Sequence, residues 1–273
     1  MKLKYIDPRH IQIFNNITMM VYGYLYLNFN RDYKYLPLTF VISLAIDFIL
    51  SRYLNKERNQ RSLVDRATSI VNTMASVYVM VNIDNPMFYL VAITFAILSK
   101  FLFRVKNEHV FNPANCGIVL SLLLVSDTYV RIIYTQFANP SSFIFWFVVV
   151  NGMIITIWAK RLVLAVTYMF ATSLFLYIIS PFFYYANTFL IGPTFSTSGL
   201  LFAFFMITDP RTTPHKWQEQ VIFGCVAALI GAFIRANQMV HDAFIALFLT
   251  TALYSIIRYQ RISLAEARAA ATT

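Results

Sequence analysis

From Leu162 to Thr208 the chain carries no Asp, Glu, Lys or Arg. An ordinary soluble domain has about one charged residue in four, so it does not contain a stretch like this. A bilayer core about 30 Å thick is crossed by roughly 20 apolar residues in a helix, and this stretch has room for two crossings. In lipid every backbone N–H and C=O needs an internal partner, which leaves helices or a closed barrel. The apolar runs here lack the alternation of barrel strands. They are read as helices. The whole chain agrees, with 59% hydrophobic and only 12% charged residues over 273 positions.

Ten spans are expected: Ile11–Asn28, Leu36–Leu54, Ala67–Val81, Met87–Phe103, Ala114–Ser126, Ser142–Ala159, Leu162–Ser180, Thr188–Ile207, Trp217–Ile234 and Ala243–Ile257. They form one transmembrane domain covering residues 1–273. The basic residues set its orientation. With the N-terminus inside, only Arg31, Lys34, Arg131 and Arg235 fall in outer segments, so the other 18 of the 22 Lys and Arg lie on the cytoplasmic side. That asymmetry predicts a multi-pass protein of the bacterial inner membrane with both ends in the cytoplasm. It also accounts for the net charge of +10 without a nucleic-acid partner. The expected partner is membrane lipid. Cys116 and Cys225 lie in apolar segments and read as small packing residues.

Ten helices divide into five plus five, with halves at roughly 1–140 and 141–273. A duplicated odd-numbered unit must insert its second copy upside down. An offset of 125 residues places Asp84 on Asp209, and Asn72 and Thr73 on Thr197 and Ser198. By their place in the first and sixth spans, and not by that offset, Asn15 and Asn16 correspond to Asn151.

Two segments carry polarity where apolar sequence is expected. The fifth span is too short to cross the hydrocarbon. It begins with Asn112, a suitable N-cap, followed by Pro113 at the first helical position. Its unpaired amides attract anionic groups, with Arg104, Lys106 and His109 nearby. The alternative is a capped helix start flanked by snorkelling basic residues. The eighth span is broken at Ile191-Gly192-Pro193. The hydroxyls after the break, Ser196, Thr197 and Ser198, either face a cavity or allow close helix packing. Asp209 either accepts hydrogen bonds from a ligand or locks the turn with Arg211. Asp47 lies inside the second span. It is either a cation or proton site on an ion path, or a hydrogen-bonded partner of a neighbouring Asn or Tyr. The sequence contains no phosphate-binding Gly-rich loop, helix-borne metal pair or nucleophile elbow.

Ser99-Lys100-Phe101-Leu102-Phe103-Arg104 through Phe111-Asn112-Pro113-Ala114-Asn115 is the first of two longer motifs. The second is Phe204-Phe205-Met206-Ile207-Thr208-Asp209-Pro210-Arg211-Thr212-Thr213-Pro214. Together they resemble the NqrB/RnfD family of membrane proteins, which serve in the Na⁺-translocating NADH:quinone oxidoreductase and in the Rnf electron-transport complex. The closest likeness is to small stand-alone members, including those associated with enediyne clusters. The resemblance implies a urea-transporter-like inverted repeat that holds flavin in membrane electron transfer, with other redox subunits or flavoproteins as partners. Larger members carry FMN on a Thr within an S-G-A-T-type motif. The corresponding region here, Tyr184 to Gly199, has no such motif. The expected cofactor is therefore a non-covalent flavin, FMN or riboflavin. A transporter or channel for a small polar or flavin-like solute is the alternative. The predicted site lies between the fifth helix and the broken eighth. Its polar contacts are Asn112, Asn115, Ser196, Thr197, Ser198 and Asp209, and its aromatic wall is Phe111 and Phe195.

Overall fold

The computed structural model describes residues 8–27, 35–54, 59–83, 85–105, 108–124, 130–131, 142–182, 190–237, 239 and 241–271. Among these residues there are ten α-helical segments. They are α1 (Pro8–Tyr26), α2 (Leu36–Leu54), α3 (Leu63–Met80), α4 (Pro86–Leu102) and α5 (Pro113–Leu122), then α6 (Ser142–Trp158), α7 (Leu162–Ile179), α8 (Thr197–Leu201), α9 (Trp217–Ala236) and α10 (Asp242–Ala271). Four of them, α2, α7, α9 and α10, are long and apolar enough to cross a bilayer, and α4, α5, α6 and α8 are shorter apolar helices. The chain is an all-α, membrane-embedded protein. Its outward surface suits lipid: Phe143, Trp146, Phe170 and Tyr177 on α6 and α7 are all exposed.

Local chemistry explains the starts. Ser62 caps α3 by accepting from the Asp65 N–H. Asn85 caps α4, with Pro86 in its first turn. Asn112 caps α5 through the Asn115 N–H at 3.2 Å. The eighth segment is the irregular one. A 3₁₀ turn at Gly192–Phe195 precedes α8, and Ser196 caps α8 by accepting from Gly199 N–H. The helix then widens into a π turn at Phe202–Met206, closed by the Ile207 N–H to Phe202 O bond at 3.1 Å. The eighth segment, expected to break at Ile191-Gly192-Pro193, is a 3₁₀ turn there, then a short α-helix, then the π turn.

Other boundaries shift too. α3 starts at Leu63, four residues before the expected Ala67, and so takes Arg66 out of the loop. α10 runs on to Ala271, past the expected Ile257. Two short antiparallel ladders accompany the helices. β1 (Asn82–Ile83) pairs with β4 (Val130–Arg131), and β2 (Arg104–Val105) pairs with β3 (Glu108–His109). Asp84, one half of the expected repeat match, lies outside the described residues.

Packing follows a pattern. In the first half α1 packs on α3, α2 on α4, and α4 on α5. In the second, α6 packs on α8, α7 on α9, and α9 on α10. Polar pairs tie α1 to α3: in a buried contact Asn16 Nδ2 donates to Ser76 Oγ at 3.1 Å, and in a partly buried one Asn72 Nδ2 donates to Gln12 Oε1 at 2.9 Å. A buried ion pair ties α2 to α3, Arg66 Nη1 to Asp47 Oδ2 at 2.9 Å.

Candidate functional site: a two-faced cavity

A cavity of about 580 Å³ lies among α1, α3, α4, the start of α5, the end of α6, and the π turn with the loop after it. Its lining is of two kinds. Ser69, Asn72, Thr73 and Ser76 are spaced 3, 1 and 3 along α3, which places them on one face of that helix. All four line the cavity, with Gln12 and Lys100. The other kind is apolar and aromatic: Ile155 and Trp158 from α6, and Phe204 and Phe205 from the π turn.

Lys100 is buried, and hydroxyls hold it. Its Nζ donates to Thr73 Oγ1 at 2.8 Å and to Ser69 Oγ at 3.2 Å. A buried ammonium is costly unless hydrogen-bonded, and α3 supplies the acceptors.

The mouth is built from the two longer sequence motifs, which meet in space. Asn112 caps α5 with Oδ1, and its Nδ2 donates to Met206 O at 3.3 Å. That carbonyl ends the π turn. His109 Nε2 stands 4.0 Å from Asp209 Oδ2. Asp209 Oδ1 accepts the Arg211 N–H at 3.1 Å. Burial lifts the Asp209 carboxyl above the ordinary carboxylate range. The N–H and charge of Arg211, the Thr212 hydroxyl and Arg161 offset part of that rise. Arg161 fixes the loop from behind: Nε donates to Thr213 Oγ1 at 3.0 Å, and Nη2 to Pro210 O at 3.1 Å.

No protein-family model and no curated protein matches the chain. The functional reading therefore stands on the cavity itself and on the motifs around it. Among the described residues no cluster of His, Cys, Asp or Glu is placed to hold a metal ion.

Of the residues predicted from sequence, Asn112, His109 and Asp209 line the cavity. Asn115 is buried behind it, donating from Nδ2 to Phe244 O at 3.2 Å. Phe111 stacks on Phe248 at 4.4 Å between ring centres instead of facing the cavity. Phe195 sits on the 3₁₀ turn before α8 and is 42% exposed. Ser196 is a helix cap. Thr197 and Ser198 are fully buried away from the cavity lining, and their hydroxyls have no partner among the described residues. The cavity forms at the far end of the eighth segment from the Gly-Pro break, because the π turn and not the break opens toward α3. Arg104 belongs to β2, in register with His109. Lys106 lies outside the described residues. Asp47 is paired with Arg66.

Sequence reasoning missed Gln12, Ser69, Ser76, Lys100 and Trp158 as site residues. The signal was present as a polar stripe at helical spacing on α3. A membrane helix turns such a stripe inward.

Proposed function

We propose that the chain is a ten-span membrane protein of two inverted five-helix units. In this reading the cavity holds a non-covalent flavin, FMN or riboflavin, and the protein serves membrane electron transfer. The repeat is supported by the recurring packing order and by one matched contact. Lys100, in the last turn of α4, bonds Ser69 Oγ at 3.2 Å. Arg235, in the last turn of α9, bonds Thr194 Oγ1 at 2.8 Å. Thr194 is Ser69 plus the offset of 125 already seen in the sequence, whereas Arg235 is Lys100 plus 135, so the two cations match by their place in the last turn and not by that offset.

The positive-inside asymmetry puts the cavity mouth, with Arg211, on the cytoplasmic side and Arg235 on the outer side. Cysteine labelling of intact cells tests this in a background lacking Cys116 and Cys225. Arg211→Cys should be shielded from an impermeant thiol reagent, and Asn237→Cys should react. The opposite pattern would reverse the topology.

One observation carries the flavin reading: a space of about 580 Å³ joins a hydrogen-bonding helix face to Trp158, Phe204 and Phe205. Ligand sites run to roughly 300–1,000 Å³, mostly apolar with a few placed polar groups. A planar ring with a polar edge matches both linings. The resemblance to the redox-protein family supplies the electron-transfer role. Non-covalent binding fits the eighth segment, where Arg235 occupies Thr194 and where Thr197 and Ser198 are buried. The test is an absorption spectrum of protein purified in detergent and loaded with FMN or riboflavin. A flavin band near one per chain is expected, released on denaturation. Absence of any retained flavin refutes the assignment. The broken eighth segment favours a second reading, a solute transporter, since interrupted helices often frame transport sites. In that case riboflavin would cross proteoliposomes that contain the protein.

A further inference from the structure

We infer that the ligand of this cavity is a flat aromatic compound with a phosphate monoester tail, and that Arg211 at the cavity mouth binds the phosphate. This rests on the reading that the cavity is the binding site, and it narrows the chemistry of what binds there. Arg211 lines the cavity and is exposed, so it stands at the rim. Most cations on the same side of the protein are already engaged. Arg66 is tied to Asp47, Arg161 to Thr213, Arg258 to Glu108 and Arg261 to Glu219. The Arg211 guanidinium has no hydrogen-bond or ion-pair partner among the described residues. Its backbone is fixed all the same. The Arg211 N–H donates to Asp209 Oδ1 at 3.1 Å, and Arg161 Nη2 holds Pro210 O at 3.1 Å. The side chain therefore starts from a set place, and less freedom is lost when it meets a ligand.

The charge of the lining has the matching sign. Among the described residues, Lys100 and Arg211 stand against one acid, Asp209, and His109 is the fourth titratable group. Asp209 is itself surrounded by cations, with His109 Nε2 at 4.0 Å and the charges of Arg211 and Arg161 beside it. A cavity with an excess of positive charge favours an anionic ligand. A guanidinium is a planar fork that meets two phosphate oxygens at once. At an open rim the phosphate keeps part of its hydration, so seating it costs far less than burying a charge. The aromatic contact and the cation come from one segment: Phe204 and Phe205 on the π turn and Arg211 on the loop after it all line the cavity. A ring on those aromatic side chains can carry a tail to the rim. FMN has both parts and riboflavin lacks the phosphate.

The experiment is equilibrium binding to the full chain in phosphatidylcholine nanodiscs, with paired probes that differ by the phosphate. The first pair is FMN and riboflavin, and the second is 1-naphthyl phosphate and 1-naphthol. An ion pair open to water contributes up to about fivefold in affinity, and a charge-assisted fork adds to that, so wild-type protein at low salt should prefer the phosphate member by roughly three- to tenfold. In Arg211→Gln the ratio should fall to about one. Arg52→Gln is the control: Arg52 is exposed in the last turn of α2 and does not line the cavity, and the ratio should stay as in wild type. Both members are measured on the same preparation, so partial unfolding cancels in the ratio. Equal affinities for FMN and riboflavin would overturn the inference and leave the flavin reading standing. Arg211-dependent preference in the naphthyl pair, with no binding of either flavin, would uphold the phosphate site and remove flavin as the ligand. A preference that survives Arg211→Gln, one lost equally in Arg52→Gln, or no binding by either pair would overturn the inference. Nanodiscs containing phosphatidylglycerol separate the two sources of phosphate. An Arg211-dependent preference that persists there supports a soluble ester, and one abolished there assigns Arg211 to lipid headgroups and overturns the inference.

Discussion

Replacing Arg66 with Met should cost about 3–5 kcal/mol of unfolding stability, the usual loss when one partner of a buried ion pair is removed. Asp47 and Arg66 are almost completely buried, 0% and 2% exposed. Arg66 Nη1 donates to Asp47 Oδ2 at 2.9 Å and to Ser51 Oγ at 2.6 Å, and Nη2 reaches Asn59 O at 2.9 Å. The guanidinium carbon also sits 4.5 Å from the centre of the Phe48 ring. Met fills much of the same volume but leaves the Asp47 carboxylate buried and uncompensated. The double variant Asp47→Leu/Arg66→Met removes both charges and should recover most of the loss, because a buried pair contributes little net stability beyond an apolar replacement. Chemical denaturation in a fixed detergent measures both. If the single and double variants lose the same amount, the two residues do not act as a unit.

The second large effect is expected at the contact between α4 and α5. A Cβ built on Gly117 would lie 2.1 Å from Ala92 O and 2.8 Å from Ala96 Cβ. Neither neighbour is the end of a flexible side chain, so Gly117→Ala must push the two helices apart. Small residues at such contacts are what let membrane helices approach closely. Overpacking a tight core costs about 1–3 kcal/mol, and this contact belongs at the upper end because backbone must move. The displacement would also reach Asn112, little more than one turn before Gly117, and loosen its bond to Met206 O. Ligand retention should fall together with stability. Gly192→Ala is the comparison: a Cβ there meets nothing within 4 Å, and the change should be nearly silent. Equal thermal stability of the Gly117 and Gly192 variants would refute the close packing.

The helices are legible in the sequence because their signals are local. α2 has the expected ends, Leu36 and Leu54, and α5 begins at Asn112-Pro113, where cap and ring agree. Arg66, by residue type and neighbours, reads as a loop cation on the positive-inside face. Only Asp47, 19 residues earlier, explains its burial, and sequence spacing does not reveal that pairing. The π turn has no marker: Leu200 to Ile207 is uniformly apolar, and nothing in it distinguishes i→i−5 bonding from i→i−4. The site is half legible. Charge and capping point to Asn112, His109 and Asp209. The α3 stripe is a weaker signal than a glycine or proline break, since its small hydroxyls also suit plain helix packing. Thr197 and Ser198 do sit just after such a break, but a break frees backbone without deciding which side chains face open space.

The polar contacts between α1 and α3 bear on how the chain enters the membrane during synthesis. Neither helix is among the four apolar enough to cross a bilayer by composition. Each carries amides that are costly to move into hydrocarbon alone, Gln12, Asn15 and Asn16 on one and Asn72 on the other. Yet Asn16 finds Ser76, and Asn72 finds Gln12, so each helix supplies hydrogen-bonding groups that the other needs. α2, emerging between them and strongly apolar, can settle in lipid unaided. On the ten-span reading, α1 and α3 are expected to partition into lipid together, each meeting hydrogen-bonding groups of the other. On that reading, the residues that line one side of the cavity also hold together the two helices least able to enter lipid alone.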